Sequence, residues 1–331
     1  MIPPKLRVGD TVAVFSPSSP ITATVPARYL RGKAYLEAKG FRVVEGCLTG
    51  KQDGYRSGSI RERAEELNRL LRDPAVRCVM AAIGGYNSNA LLPYLDYDAL
   101  RADPKIIVGY SDVTALLLGI YAQTGITTYY GPAMAASFGE FPPFVDETYR
   151  YFTDILLEGA SFPHVLPTPK LWTEEFLDWA GQDRGKNGEA NRLVTLQGGC
   201  ATGRLMGGNL NTMAGIWGTP YIPEIRQGDI LLIEDSLKSA AEVERSFVHL
   251  KLSGVFDRIG GLILGKHELF DHQGTDRKPS DILLEVMGKP DFPVLAEFDC
   301  CHTHPMLTMP IGAEVLLDAD AQTVTILKES L

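Results

Sequence analysis

Short apolar runs alternate with amphipathic stretches through the first half of the chain. Thr11-Val-Ala-Val-Phe15 runs into the turn-rich Ser16-Pro-Ser-Ser-Pro20, which predicts a strand feeding a loop. Residues 26 to 39 carry a helical period closed by Gly40, and Phe41-Arg-Val-Val44 then reads as a strand. Ser59-Ile-Arg-Glu62 has the spacing of a capping box, so a helix starts there and runs to about Arg72. Arg77-Cys-Val-Met-Ala-Ala-Ile83 is a buried strand, a short helix is expected near Ala90 to Leu95, and Lys105-Ile-Ile-Val108 is the next strand. Strands separated by helices pair in parallel through right-handed crossovers, which predicts an α/β fold with a doubly wound sheet.

Between about Ser161 and Arg192 the periodicity stops, and Pro, Trp, acidic and Gly residues follow one another without pattern. That stretch is taken as a linker carrying a loop excursion. Beyond it, Asp229-Ile-Leu-Leu-Ile233, Gly261-Leu-Ile-Leu264 and Thr323-Val-Thr-Ile-Leu327 are strands, with helices near 240 to 252 and 280 to 287. The expected organisation is therefore residues 1–160, a linker over 161–192, and a smaller mixed α/β domain over 193–331.

Composition changes this picture little. The chain has 331 residues, of which 45% are hydrophobic and 22% charged, an ordinary globular balance large enough for two domains. A net charge of −9 argues against nucleic acid, which is held by clusters of Lys and Arg. No apolar run approaches the roughly 18 residues that span a bilayer, and the first residues lack the pattern of a secretory leader, so a cytoplasmic protein without membrane partners is expected. Cys47, Cys78, Cys200, Cys300 and Cys301 are an odd, scattered set, read as reduced thiols.

Several segments carry candidate chemistry. In Lys105-Ile-Ile-Val-Gly-Tyr-Ser-Asp112, Ser111 falls at the C-terminal end of a strand just before an apolar helix. Open parallel sheets bind ligands at that edge, and backbone N–H groups at a helix start stabilise an oxyanion. The arrangement resembles a nucleophile elbow, although Val113 stands where the second glycine of G-x-S-x-G would be. A helix cap is the structural alternative for Ser111. Gly84-Gly85, one strand earlier, frees the backbone to approach a ligand and to supply a second oxyanion donor, or serves only a tight turn. Glu234 and Asp235 follow a strand and could orient a histidine, Asp235 being equally suited to a cap. Asp299-Cys-Cys-His-Thr-His-Pro-Met306 offers a general base; its Cys-Cys-His-x-His spacing does not match known structural zinc sites. Trp172 and Trp179 lie in the irregular segment, as a stacking wall for a flat ligand or as anchors of that loop.

Taken together, Ser16-Pro-Ser-Ser19, Gly84-Gly85, Gly109-Tyr-Ser-Asp112, Tyr130-Gly-Pro132, Gly203-Arg-Leu-Met-Gly-Gly-Asn209, Glu234-Asp235, His302, Pro305 and Pro310-Ile-Gly312 resemble the LD-carboxypeptidase family of serine peptidases, nearly end to end. The resemblance implies a Rossmann-like N-terminal domain, an active site at the domain junction, and a Ser111, Glu234, His302 triad with the Asp112, Gly84 and Gly85 backbone as oxyanion hole. No metal or organic cofactor is implied, and relatives commonly form homodimers. Ile83-Gly-Gly-Tyr-Asn87 and the tryptophan loop look like the family's microcin C immunity branch, which cleaves an amide between an aminoacyl or peptidyl group and a nucleotide. Trp172, Trp179, Tyr86 and Asn87 would then contact substrate. Murein tetrapeptide cleavage is the first alternative, and a non-catalytic nucleotide- or sugar-binding module the second.

Overall fold

The computed structural model describes residues 1–329. A six-stranded sheet follows the order Met309–Ile311, Thr128–Tyr130, Ile106–Gly109, Val76–Ala81, Thr11–Phe15, Arg42–Glu45. Its five N-terminal strands are all parallel, as the alternation of strands and helices requires. The strand order reverses between Thr11–Phe15 and Val76–Ala81, so the loops after these two strands diverge and open a crevice at the sheet's C-terminal edge. Those loops contain Ser16-Pro-Ser-Ser19 and Gly84-Gly85.

The second sheet has eight strands with a parallel centre: Cys200–Asn209, Ile230–Glu234, Gly261–Gly265 and Val294–Phe298. Antiparallel strands flank it on both sides. The central strands are buried on both faces; Ile230–Glu234 is inaccessible throughout. Such strands read as continuous apolar runs, which is how the sequence reveals them.

Local signals hold where the chemistry is local. Ser59 Oγ accepts the Glu62 N–H at 3.3 Å while Glu62 Oε2 accepts the Ser59 N–H at 2.9 Å, and the helix Ile60–Arg72 follows. The expected helix near Ala90 to Leu95 is a 3₁₀ turn over Ser88–Tyr94, because Pro93 removes a donor from any longer ladder. The irregular segment contains an edge strand, His164–Val165, and a two-stranded ladder of Leu171–Trp172 with Glu189–Ala190. Met309–Ile311 leaves the second half of the chain to pair with Thr128–Tyr130 at the edge of the first sheet. Pro310 is accommodated there, since an edge strand need not donate on its outer side.

No helix among the described residues is long and apolar enough to cross a membrane. No group of three or more His, Cys, Asp or Glu among them is placed to hold a metal ion.

Candidate active site

Ser111 leaves the strand Ile106–Gly109 with φ +61°, a left-handed conformation that costs a non-glycine residue on the order of 1–3 kcal/mol. The surrounding structure supports that strain. The Ser111 N–H donates to Tyr130 Oη at 3.3 Å, and the Asp112 carboxylate, buried just beyond, accepts the N–H groups of Asn87 and Ser88 at 3.2 and 2.9 Å. Ser88 Oγ returns a bond to the Asp112 carbonyl at 2.6 Å. Elbow and glycine loop are thus stitched together. A Cβ on Gly84 would come within 3.0 Å of Ser111 Cβ and 3.1 Å of the Asp112 nitrogen, so only glycine lets the two backbones approach. Gly85, at φ +148°, faces the Ser18 and Ser19 hydroxyls.

The glutamate arrives from the second sheet. The parallel register sets Asn209 beside Glu234, and Asn209 Nδ2 donates to Glu234 Oε1 at 3.0 Å. Tyr130 Oη donates to the same oxygen at 2.5 Å, while Glu234 Oε2 binds His302 Nδ1 at 2.7 Å. Burial would lift the glutamate's pKa, but the imidazole, Tyr130 and Asn209 hold it below the ordinary value. Burial would likewise lower that of His302; the charge and bond of Glu234, aided by Glu268 and Asp235, outweigh it and raise it. Burial and the adjacent Glu234 charge push Asp235 up to about 6.

His302 lies in the loop between Val294–Phe298 and Met309–Ile311. The Leu307 N–H donates to the Asp299 carbonyl at 3.0 Å, and the Asp299 carboxylate takes Lys266 Nζ at 2.6 Å and Asn191 Nδ2 at 2.8 Å. The Tyr110 ring meets the imidazole edge-on, with centroids 4.9 Å apart. Cys300 and Cys301 are buried, and burial raises both thiols, Cys301 to about 12, which keeps them as neutral packing groups.

Ser111 and His302 face one cavity of about 250 Å³, which Gly84, Gly85, Tyr86 and Trp179 also line. Among the described residues no hydrogen bond joins Ser111 Oγ to His302. The other expected contacts divide. Trp179 is on the wall, with the Arg28 guanidinium 4.3 Å from its ring centre. Trp172 lies outside the cavity, its ring 5.1 Å from Lys266 Nζ. Tyr86 is 79% exposed at the mouth. Asn87 is turned inward: its Oδ1 accepts from Arg63 at 2.6 Å and from Ser18 Oγ at 3.1 Å, so it braces the glycine loop instead of facing the cavity.

Sequence reasoning gave no role to Tyr130 and Asn209, although both stand in Tyr130-Gly-Pro132 and Gly203–Asn209, at strand ends beside a glycine. It also gave no role to Lys186, Asn211, Lys238, Glu268 and His304, which line the cavity, Asn211 from the short helix Leu210–Ala214 and the others from loops without periodicity.

Residues 12–131 match the LD-carboxypeptidase N-terminal domain and residues 202–317 the LD-carboxypeptidase C-terminal domain. A putative carboxypeptidase of Vibrio cholerae is 60% identical over 96% of this chain and 95% of that protein. The microcin C7 self-immunity protein MccF of Escherichia coli is 51% identical over 98% of this chain and 95% of its own length. The structure of MccF without ligand superposes with a TM-score of 0.97 over 100% of this chain and 99% of that one; MccF has also been solved with aspartyl sulfamoyl adenosine and with glutamyl sulfamoyl guanosine. On these matches and on the arrangement of its site, the chain belongs to the LD-carboxypeptidase family of serine peptidases.

Proposed function

We propose that the protein hydrolyses the amide between an aminoacyl or peptidyl group and a nucleotide, with Ser111, Glu234 and His302 as its triad, and so detoxifies nucleotide antibiotics of the microcin C type. The observation that carries the proposal is the 2.7 Å bond from His302 Nδ1 to Glu234 Oε2, made beside a cavity lined by both Ser111 and Trp179. With Nδ1–H given to the carboxylate, Nε2 is the basic nitrogen. It takes the Ser111 proton as Oγ attacks the amide carbonyl, and Glu234 stabilises the imidazolium. Substrate binding closes the gap between Oγ and the ring, as catalytic bonds often tighten only in the complex. The oxyanion receives the Asp112 N–H and an N–H of the Gly84-Gly85 turn. His302 then protonates the leaving nitrogen, and a water activated by the same ring resolves the acyl-enzyme.

In this scheme residues 1–160 supply the nucleophile, 161–192 the substrate loop and 193–331 the glutamate and histidine. Trp179 stacks on the nucleobase. Cytoplasmic action as a homodimer completes the scheme, and light scattering on the purified protein tests the dimer. MccF structures with aminoacyl sulfamoyl nucleosides favour this substrate class over murein tetrapeptide. The deciding assay offers the protein aspartyl sulfamoyl adenosine and L,D-tetrapeptide separately. Hydrolysis of the first is expected; hydrolysis of the tetrapeptide alone would sink the proposal.

A further inference from the structure

Two polar side chains at the cavity are buried without the partners that burial demands. The Lys186 side chain is 4% exposed and lines the cavity, yet its ammonium makes no hydrogen bond among the described residues. Its closest carboxylate oxygen, Glu140 Oε2, is 3.8 Å away and already takes Arg28 Nη2 at 3.0 Å. Glu140 Oε1 is occupied as well, by Gln182 Nε2 at 2.5 Å and the Phe141 N–H at 2.8 Å. His304 is 5% exposed and lines the same cavity; its ring makes no hydrogen bond among the described residues, and Nδ1 is buried with none. Its backbone is fixed by two bonds to Thr173, at 2.9 and 3.0 Å, so the ring is held in place. Burial, reinforced by Lys186, Arg28 and His302, keeps that ring well below the ordinary histidine pKa, hence neutral and with one N–H to give.

An ammonium on a buried stem, held only by a 3.8 Å ion pair and open to the cavity, and a buried imidazole nitrogen without a partner are groups that a ligand would complete. Their complement is an anion with several acceptor oxygens. Its position in the cavity is set by Glu140: the carboxylate facing Lys186 also holds Arg28, and Arg28 covers one face of Trp179 at 4.3 Å. Lys186 and Trp179 thus line the same cavity and are linked behind its wall through Glu140 and Arg28.

We infer that Lys186 and His304 form a subsite for the phosphate of the leaving nucleotide. This rests on the nucleotide assignment proposed above. Lys186 supplies charge and His304 a neutral donor, so the subsite binds the anion attached to the scissile nitrogen and helps to carry the negative charge of the departing group.

Calorimetric titration of the full-length protein with AMP and with adenosine tests the subsite without requiring turnover. The unaltered protein should bind AMP about ten- to a hundredfold more tightly than adenosine, the range for a hydrogen-bonded charge. Lys186→Met should remove most of that difference while leaving adenosine affinity unchanged, and His304→Phe should narrow it by a smaller factor. Should the Met variant melt early, Lys186→Gln keeps the stem and reads the same difference. Equal affinity of the unaltered protein for AMP and adenosine, or an equal loss for both ligands in Lys186→Met, overturns the inference and leaves nucleotide recognition standing. Failure to bind either ligand removes the nucleotide assignment, and the subsite with it.

Discussion

The elbow at Ser111 and the loop bearing Trp179 border the same cavity but are held by different means. Around Ser111, backbone groups bond to buried side chains: Tyr130 to the Ser111 nitrogen, Asp112 to Asn87 and Ser88, with the supporting strand inaccessible. Around Trp179 the ties are of two kinds: the buried Arg28–Glu140 ion pair backs the ring, and the loop beside it is held by charged bonds partly in water. Glu175 takes Arg184 at 2.7 Å and the Asn187 N–H at 2.6 Å, which pulls its pKa to about 2, while Glu174 accepts the Leu269 N–H at 2.8 Å. Interior hydrogen bonds fix geometry against a low dielectric, whereas exposed ion pairs contribute little and yield to sequence change. In the proposed scheme the nucleophile belongs to the first region and base stacking to the second, so the exposed ties of the loop leave specificity more open to change than the elbow.

The comparison breaks most visibly at the nucleophile. Ser111→Ala and His302→Ala should each lower kcat by about 10⁶-fold with KM little changed, measured on an aminoacyl sulfamoyl nucleoside. A retained kcat in either would place the chemistry elsewhere.

Glu234→Gln should cost about 10⁴-fold in kcat. It should also move the pH profile. His302 must be neutral to act, and its raised pKa sets the acid limb of kcat/KM above the ordinary imidazole value of about 6.5. Activity therefore falls as pH drops through that limb. Removing the carboxylate that raises the pKa should shift the limb to lower pH; an unmoved limb would mean that another group titrates.

A smaller effect separates the tryptophans. Trp179→Ala should raise KM by about 1–3 kcal/mol, the worth of one stacked base, with kcat nearly kept. Trp172→Ala should leave KM unchanged and lower the melting temperature slightly, through the lost Lys266 contact of about 0.5–1 kcal/mol. Equal KM effects would erase the distinction between them. The smallest expected response is to EDTA, which should not change the rate, since none of the proposed steps uses a metal.

Much of the first region could be read from the sequence because its determinants are local. Ser59 and Glu62 announce their helix three residues apart, and Ser111 stands between an apolar strand and an apolar helix. The bond from Tyr130 to Glu234 could not be read so, because it depends on how two sheets dock. The inward turn of Asn87 was hidden for a related reason, since it depends on Arg63 of the preceding helix binding its amide oxygen. Within 161–192 the sequence has no period, so nothing marks Trp179 and not Trp172 as the ring facing the cavity. The capture of Met309–Ile311 by the first sheet was equally hidden, three residues containing a proline being a weak strand signal.

That captured strand makes the histidine loop a suspension bridge, with one pier in each sheet. Ser111 and Glu234 each ride on a single sheet, but His302 hangs between Val294–Phe298 of one and Met309–Ile311 of the other. Any hinge rotation of the halves would therefore pull on the imidazole through its own backbone, as well as on the Tyr130–Glu234 bond that joins the two sheets. Cutting the chain within 161–192 to produce two separate pieces would leave the first with an unzipped edge at Thr128–Tyr130, its missing ribbon travelling with the other fragment.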